Sequence, residues 1–327
     1  NSLGKWNGKT DYIKQLADTV KTDSDELFYM CLKKFLVAMV GSWYDDEVIN
    51  QTVLVLVGEQ GDGKSTWVKR LVPEGMKKYY AEGGIDPNKR DDQWQLSINM
   101  IYNMDELSTL TRSAMEAVKA MITSDSFQIR LPYGYFHKTL PRRTSFTGTV
   151  NDEEFLSDTT GNRRWLAFNV KSIEGRGQHS VDMRKVYQQA FQLFKDGFQY
   201  WFDKTEIGII NAHTERFRQR TVEEELLLQW FEPVTEAEAT NKYTPTEMLL
   251  IIAQQDKVKN VSISTYAIRS LGKALRKHGF LHRPSNGRNT FLAHLKSPME
   301  AEEGTFTKLS VDQLKAKEKE AEARKNK

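Results

Sequence analysis

Apolar residues recur at spacings of three and four along residues 12–43, which predicts helices there. Beyond them, four largely apolar runs predict buried strands, at residues 52–58, 98–104, 142–150 and 163–170. The first run, TVLVLVG, is apolar at nearly every position, which is typical of a central parallel strand buried on both faces. Helical patterns lie between the runs, so the predicted fold class is α/β.

The pattern becomes helical again after Val181, and a polar stretch at residues 232–243 precedes a second module. That module begins with a predicted capping box, in which Thr244 is the N-cap and the Glu247 side chain reaches back. Two helices and a hairpin follow, an order that resembles a winged helix. We therefore divide the chain into a helical N-terminal flank (1–48), a core with an inserted hairpin and a helical extension (49–235), a winged-helix-like domain (240–296) and a charged tail (297–327).

Charge is distributed unevenly between these regions. Residues 241–296 carry ten Lys and Arg against two acidic residues, a net +8, and the tail balances seven of each sign. Since the whole chain carries +3, residues 1–240 hold the remaining −5. A basic module on a mildly acidic body favours a polyanion as its partner. The single cysteine, Cys31, excludes an intramolecular disulfide and suits a cytoplasmic protein, and no apolar run is long enough to cross a membrane.

Residues 58–66, GEQGDGKST, match the Walker A pattern GxxxxGK[ST] between a predicted strand and a predicted helix. Such a loop wraps phosphates with backbone N–H groups, and the helix N-terminus adds partial positive charge. In this interpretation Lys64 bridges the β- and γ-phosphates of ATP, and the Ser65 hydroxyl ligates Mg²⁺. The candidate nucleotide-binding residues are Gly58, Gly61, Gly63, Lys64, Ser65 and Thr66. The alternative is a glycine-rich turn with a surface lysine.

Two later strands end in polar residues, in the order expected of an additional-strand P-loop ATPase. Asp105 would hold Mg²⁺, directly or through water, and Glu106 would polarise the attacking water as general base. Asn151 ends the following strand, and its amide suits a sensor that orients this water because it both donates and accepts. The alternatives are an acidic strand end and an asparagine that only begins a loop.

Arg163 and Arg164 precede the last apolar run, twelve and thirteen residues after Asn151. An arginine that reaches a γ-phosphate stabilises charge on the transferred group, and supply from a neighbouring subunit would make hydrolysis depend on assembly. One arginine could be this finger and the other an anchor. The alternative is a pair at a strand end that meets surface carboxylates.

Two basic regions are candidates for DNA binding. The predicted hairpin at residues 126–146 interleaves basic and aromatic side chains, as surfaces for single strands do, and its candidates are Arg130, Tyr133, Lys138, Arg142 and Arg143. The second helix of the C-terminal module carries Arg269, Lys273, Arg276 and Lys277 at spacings of one, three and four. A structural hairpin with solvated charges, and a winged helix used for protein contacts, are the alternatives.

Five segments together resemble the virulence-associated protein E family of mobile elements and phages: WNGKTDYI, LVLVGEQGDGKSTW, NMDEL, IRLPYGYFHKTLPRRTSFTGTVN and FLSDTTGNRRW. The family is similar to superfamily 3 helicases and replication initiators within the AAA+ class. The resemblance implies DNA-stimulated ATP hydrolysis, a hexameric ring and a primase-like domain upstream. By matching position it implies functional roles for Gly63, Lys64, Ser65, Asp105, Glu106, Asn151, Arg163 and Arg164.

The hypothesis from the sequence is a Mg²⁺-dependent AAA+ ATPase that moves along or unwinds DNA as a homo-oligomeric ring. One alternative is an initiator or regulator in which ATP sets only the assembly state. A second is a defence ATPase that senses phage nucleic acid or protein. A small-molecule kinase explains neither the Asp-Glu pair nor the basic module.

Overall fold

A computed structural model describes residues 4–86, 89–105, 107, 112–130, 136–156, 162–236, 241–255, 263–285 and 287–297, with the backbone alone at residues 90, 112, 113, 129, 130 and 162. The chain forms two compact units, Asn1–Gln219 and Arg220–Lys327. The tail beyond residue 297 lies outside the described residues. None of the helices in the described ranges has the length and apolar character that a bilayer span requires.

The first unit begins with helices α1 (Tyr12–Asp18) and α2 (Asp25–Tyr44), which confirms the predicted helical start. A three-residue strand, β1 (Val20–Thr22), lies between them and was not predicted. The sequence separates this flank from the core, whereas the structure packs it onto the core. Phe28, for example, is fully buried and contacts Trp67 and Phe168 with its ring.

The core of this unit is a six-stranded sheet with a mostly parallel arrangement. Its further strands are β2 (Val53–Val57), β3 (Tyr80–Glu82), β4 (Ile101–Asp105), β7 (Ser145–Val150) and β8 (Trp165–Ile173); β5 (Ser126–Arg130) and β6 (His137–Pro141) form a separate hairpin. The strand order is β1-β8-β2-β7-β4-β3, and only β1 runs antiparallel to its neighbour. The structure confirms the predicted α/β class and the central position of β2.

Strand β2 shows why the sheet is buried on both faces. Leu54 and Leu56 lie in one hydrophobic cluster, with residues of α2, whereas Val53, Val55 and Val57 lie in another, with residues of α5 (Arg112–Thr123). Alternate side chains of a strand point to opposite faces, so a wholly apolar strand needs helices on both sides. The helices of this unit after α2 are α3 (Lys64–Arg70), α4 (Arg90–Ile98), α5 (Arg112–Thr123), α6 (Met183–Lys195) and α7 (Lys204–Thr214).

Within its described residues, the second unit combines three helices with a three-stranded antiparallel sheet. Its elements are α8 (Val222–Trp230), β9 (Phe231–Pro233), β10 (Asn241–Tyr243), α9 (Pro245–Gln255), α10 (Thr265–Lys277) and β11 (Phe291–Leu295), and the strand order is β10-β11-β9. The predicted capping box is present, because the Glu247 N–H donates to Thr244 Oγ1 and the Thr244 N–H donates to Glu247 Oε2. Gly279 follows α10 with φ of +76°, the left-handed conformation that commonly ends a helix.

The unit boundary differs from the one placed near residues 235–240 by sequence. Helix α8 was assigned to an extension of the core, yet it belongs to the second unit, which begins at Arg220. The buried side chains of Leu226 and Leu227 lie in one hydrophobic cluster with Met248 of α9 and Leu271 of α10. An amphipathic helix shows from sequence that it needs an apolar partner, but not which partner it has.

Candidate active site

The loop between β2 and α3 lies where the parallel strands of the sheet end, at their carboxyl edge. Two of its glycines adopt the left-handed conformation, with φ of +96° at Gly61 and +87° at Gly63. Gly63 also lacks room for a side chain, because a Cβ there would lie 2.2 Å from the carbonyl oxygen of Arg176. Glycine is thus required at position 63 by both conformation and space.

Lys64 is the first residue of α3, and only 5% of its surface is exposed. Its Nζ donates to the carbonyl oxygens of Gly58, at 2.8 Å, and Glu59, at 2.6 Å, and to Oδ1 of Asn151, at 3.2 Å. Burial lowers the pKa of Lys64, since desolvation disfavours its charged form. The fold therefore brings two residues predicted from sequence, Lys64 and Asn151, into direct contact.

A second polar contact lies at the same edge of the sheet. Asp105 of β4 and Thr149 of β7 are register partners in parallel strands, and the Thr149 hydroxyl is hydrogen-bonded to Asp105 Oδ1. The same hydroxyl lies 3.3 Å from Ser65 Oγ. Thr149 therefore links the two residues that sequence assigns to the metal.

Thr149 was not predicted from the sequence, although a signal for it exists. Thr147, Thr149 and Asn151 stand at every second position near the end of an otherwise apolar strand, so the strand periodicity places them on one face. Thr147 Oγ1 donates to Asn103 Oδ1 at 3.0 Å, which gives a second polar pair deeper in the sheet. This row of polar residues extends from the buried sheet to its carboxyl edge.

The oxygen donors of Ser65 and Asp105 are chemically suited to Mg²⁺, which is commonly held by one or two carboxylates together with phosphate oxygens and water. Among the described residues, no group of three or more His, Cys, Asp or Glu side chains could hold a metal ion. The pair thus suits an ion that arrives with a nucleotide. The predicted base, Glu106, lies outside the described residues.

The arginine pair lies at the opposite edge of the sheet. Arg163 and Arg164 directly precede β8, whose first residue, Trp165, is the register partner of Val53 at the start of β2. The loop between β2 and α3, which we call the phosphate-type loop, begins only after Val57. That point is about 13 Å further along the strand, at ~3.3 Å per residue. Arg163 is exposed and Arg164 half-buried, and both line a cavity of about 390 Å³ with Thr52 and Trp201 among its other residues.

The sequence of the first unit matches the model of a known protein family. The model of the virulence-associated protein E-like (VapE-like) domain matches residues 1–219, which is the whole first unit. The chain belongs to the VapE-like family. No match is found among the curated proteins.

Solved structures of the NrS-1 C-terminal region, in the apo state, resemble the chain distantly. Two of them have 14% and 11% sequence identity, cover 88% and 87% of this chain and 76% and 75% of theirs, and give TM-scores of 0.45 and 0.44. A third has 13% identity and a TM-score of 0.41. These similarities carry no inference about the site.

Within the VapE-like domain, Arg142 is wrongly predicted as a DNA contact. Only 1% of its surface is exposed, and its guanidinium donates to the carbonyl oxygens of Ser124, Thr144, Asn50 and Ile122 at 2.6–3.0 Å. Burial lowers the pKa of Arg142 to about 10, which leaves it charged at neutral pH. It is an internal brace that joins the base of the hairpin to the amino edge of the sheet.

The other hairpin candidates have different environments. The hairpin itself is confirmed, with β5 and β6 antiparallel from Ser126↔Pro141 to Arg130↔His137. Arg143 donates to the Trp43 carbonyl oxygen at 2.9 Å and forms an ion pair with Asp46. Its guanidinium therefore already has partners within the chain. Lys138 is exposed on β6. Tyr133 and the side chain of Arg130 lie outside the described residues.

Helix α10 of the second unit presents its predicted basic residues to solvent. Arg269, Lys273, Arg276 and Lys277 are all exposed, while Leu271 and Leu275 are fully buried. Lys277 nevertheless lies 3.0 Å from the carboxylate of Glu224, a residue only 2% exposed. Its charge offsets a buried carboxylate, so Lys277 is a poor candidate for DNA.

Proposed function

We propose that this chain is a Mg²⁺-dependent ATPase that acts on DNA as a homo-oligomeric ring, in the replication of a mobile element or phage. One observation carries the proposal. Lys64, Ser65, Asp105 and Asn151 meet at the carboxyl edge of one sheet, linked by hydrogen bonds that include Thr149. The glycine-rich turn with a merely surface lysine does not fit a lysine that is 5% exposed and bonded to the strand-end asparagine.

The strand order supports an additional-strand ATPase of the AAA+ type. The strand that leads to the Walker A loop, β2, and the strand that ends in Asp105, β4, are not neighbours, because β7 lies between them. Asn151 follows that intervening strand, and its Oδ1 lies 3.2 Å from Lys64 Nζ. This is where a sensor for the attacking water would have to be.

The roles of the side chains follow from this placement. Backbone N–H groups of the loop would surround the β- and γ-phosphates, and Lys64 would exchange its carbonyl contacts for phosphate oxygens. Ser65 and Asp105 would hold Mg²⁺, which neutralises phosphate charge and orients the phosphates. Asn151 would orient the water, and Glu106 would accept its proton.

The position of the arginines favours a contribution to a neighbouring site. The length of strand that separates them from the phosphate-type loop of the same chain exceeds the length of an arginine side chain. A ring in which the amino edge of one subunit faces the carboxyl edge of the next would bring Arg163 or Arg164 to a partner's γ-phosphate. We adopt a hexamer as the ring that the family implies, and a primase-like domain upstream as the source of primers.

Among the predicted DNA contacts, four described side chains are exposed and have no structural role assigned above. They are Lys138 on the hairpin and Arg269, Lys273 and Arg276 on α10. The helices of the second unit suit a winged-helix domain, and so does the bridge between Ser285 and Arg288, which lies within the predicted hairpin. Lys and Arg on one helix would contribute phosphate contacts that are sensitive to salt.

The test is the ATPase rate with and without single-stranded DNA, together with the mass of the protein in the presence of Mg²⁺ and ATP. We expect DNA to stimulate turnover and ATP to produce a hexamer. A protein that stays monomeric and hydrolyses no ATP under these conditions would refute the proposal. Turnover without strand displacement on a forked duplex would identify an initiator that does not translocate.

A further inference from the structure

Three successive residues shortly after β8 adopt the left-handed backbone conformation. They are Gly175, Arg176 and Gly177, with φ of +56°, +52° and +87°. Glycine adopts this conformation freely, but a residue with a side chain does so at an energetic cost. Arg176 is the only residue other than glycine with a positive φ in the part of the chain that the structure describes. Such strain persists where the surrounding structure imposes it, and it is concentrated at functional sites.

The phosphate-type loop is the structure that surrounds this segment. A Cβ added at Gly63 would lie 2.2 Å from the carbonyl oxygen of Arg176 and 2.9 Å from its Cα. A Cβ added at Gly177 would lie 2.4 Å from the Gly63 carbonyl oxygen, so the two backbones touch with no side chain between them. The Cα of Arg176 is therefore closer to the loop than the length of its own side chain. Its guanidinium can reach a ligand that is bound at the loop.

The charge of the loop favours an additional cation there. Residues 58–66 contain two acidic side chains, Glu59 and Asp62, and one basic side chain, Lys64. Burial lowers the pKa of Lys64, and the carboxylates of Asp62 and Asp105 act in the opposite direction, so both are close enough to interact with its charge. A nucleotide would bring several further negative charges to this place. A second protein cation would therefore stabilise the bound phosphates.

Arg176 has its charge available for this purpose. Its side chain is exposed, and no hydrogen bond or ion pair joins its guanidinium to another residue within the described ranges. Guanidinium groups match phosphate oxygens with two parallel N–H donors. An arginine that served only as a solvated surface charge would not require a strained position between two glycines, where glycine or asparagine costs less.

The strand order shows from which side Arg176 approaches. Strands β8 and β4 lie on opposite sides of β2, so the segment after β8 meets the loop on the side away from Asp105. The proposed Mg²⁺ and the γ-phosphate belong to the side of Asp105. Gly177, by contrast, lies against α3, since a Cβ there would be 2.7 Å from the backbone nitrogen of Trp67. The end of the phosphate chain that lies away from the γ-phosphate is thus the end next to Arg176.

We infer that Arg176 binds the α-phosphate of the nucleotide that its own subunit holds. The inference rests on the proposed function, because it assumes a nucleoside triphosphate at the loop. It assigns two kinds of arginine to the two ends of β8. Arg163 and Arg164 precede the strand and would act on the nucleotide of a neighbour, whereas Arg176 follows it and would act within its own subunit.

The experiment measures the affinities for ADP and for ATP, both with Mg²⁺, by calorimetry. Arg176→Asn removes the guanidinium but accepts the left-handed conformation, so we expect both affinities to fall about tenfold or more and the melting temperature not to fall. Arg176→Lys keeps the charge and should weaken both by only about threefold. Lys171→Asn is the matched control, because Lys171 is an exposed cation of β8, and it should change neither affinity.

Mixed assemblies test whether Arg176 acts within its own subunit. A subunit with Arg176→Asn and a subunit with Lys64→Ala are each impaired at their own loop. Their mixture should therefore show no more ATPase activity than the two variants measured separately. Recovery of activity in this mixture would overturn the assignment, because it would mean that Arg176 serves a neighbouring site.

The binding results separate this inference from the proposed function. If the unaltered chain binds neither nucleotide, the proposed function fails. If it binds both, and Arg176→Asn binds them as tightly as Lys171→Asn does, the role of Arg176 is overturned while the phosphate site stands. A loss for ATP without a loss for ADP would also overturn it, because it would place the contact at the γ-phosphate. If Arg176→Asn lowers the melting temperature, Arg176→Lys decides: an equal loss of affinity in that variant overturns the role.

Discussion

The two edges of the six-stranded sheet carry the charged residues of the candidate site in different ways. At the carboxyl edge, Lys64 is buried and bonded within its own chain, to backbone carbonyls and to Asn151. At the amino edge, Arg163 is exposed and Arg164 half-buried beside a cavity. One edge is thus organised by its own chain, and the other presents cations outward. This difference is what the proposed ring requires, since there two subunits would complete one site together.

A very large effect should come from the two arginines at the amino edge, Arg163 and Arg164. Arg163→Ala or Arg164→Ala should lower the ATPase rate by about 10³-fold or more, because charge on the transferred phosphoryl group loses its guanidinium. The measurement is steady-state turnover at saturating ATP. We expect one of the two to act on the phosphate and the other to affect assembly, which the mass of the ATP-bound protein distinguishes.

Mixing experiments test whether the two edges belong to one site. A subunit with Arg163→Ala or Arg164→Ala keeps its own loop, and a subunit with Lys64→Ala keeps its arginines. Mixed rings should therefore recover activity, since some interfaces pair an intact loop with intact arginines. Absence of recovery in both mixtures would contradict a contribution from the neighbouring subunit.

The carboxyl edge itself should show a comparably large effect. Lys64→Ala should abolish both binding and turnover of ATP, whereas Glu106→Gln should keep binding and lower turnover by about 10²- to 10⁴-fold, the usual contribution of a general base. Binding is measured with a fluorescent ATP analogue. Lys21→Ala is the control, because Lys21 is an exposed lysine of β1 whose partners are the surface residues Asp18 and Asp25. Normal hydrolysis by Glu106→Gln would remove Glu106 from its role.

A third arginine shows that the amino edge is not uniform. Arg142→Met should lower the free energy of unfolding by at least about 3 kcal/mol, because several buried carbonyl oxygens lose their donor at once. Arg143→Met should change it by less than about 1 kcal/mol, since its ion pair with Asp46 is at the surface. Urea unfolding measures both. Similar losses would mean that Arg142 is not the brace that its burial indicates.

This contrast between arginines shows where sequence reasoning succeeds and fails. The long apolar strands β2, β4, β7 and β8 were predicted because periodicity reports burial directly. The polar residues that follow these strands could then be placed at the carboxyl edge of the sheet, since parallel strands have their carboxyl ends at the same edge. Arg142 and Arg143 are adjacent in sequence and look alike there, yet only Arg142 is enclosed by backbone carbonyls from other parts of the chain.

Short elements and close backbone contacts also escaped prediction. Strands β1, β3, β9 and β10 have three residues each, too few for a periodic signal. Residues 174–177 contact the phosphate-type loop with Arg176 in the left-handed conformation. An arginine in the sequence does not predict that conformation. This contact could therefore be recognised only in three dimensions.

The smallest expected effect concerns Thr149, the hydroxyl that links Ser65 to Asp105. Thr149→Val keeps the β-branched shape and removes only this link, so we expect turnover to fall by roughly tenfold and the Mg²⁺ concentration for half-maximal rate to rise. Thr147→Val is the matched control on the same strand face, because its hydroxyl bonds to Asn103 Oδ1 instead. That variant should lose about 1 kcal/mol of stability and keep the Mg²⁺ dependence. If both variants shift the Mg²⁺ dependence equally, Thr149 supports the sheet in general and does not position the ligands at its carboxyl edge.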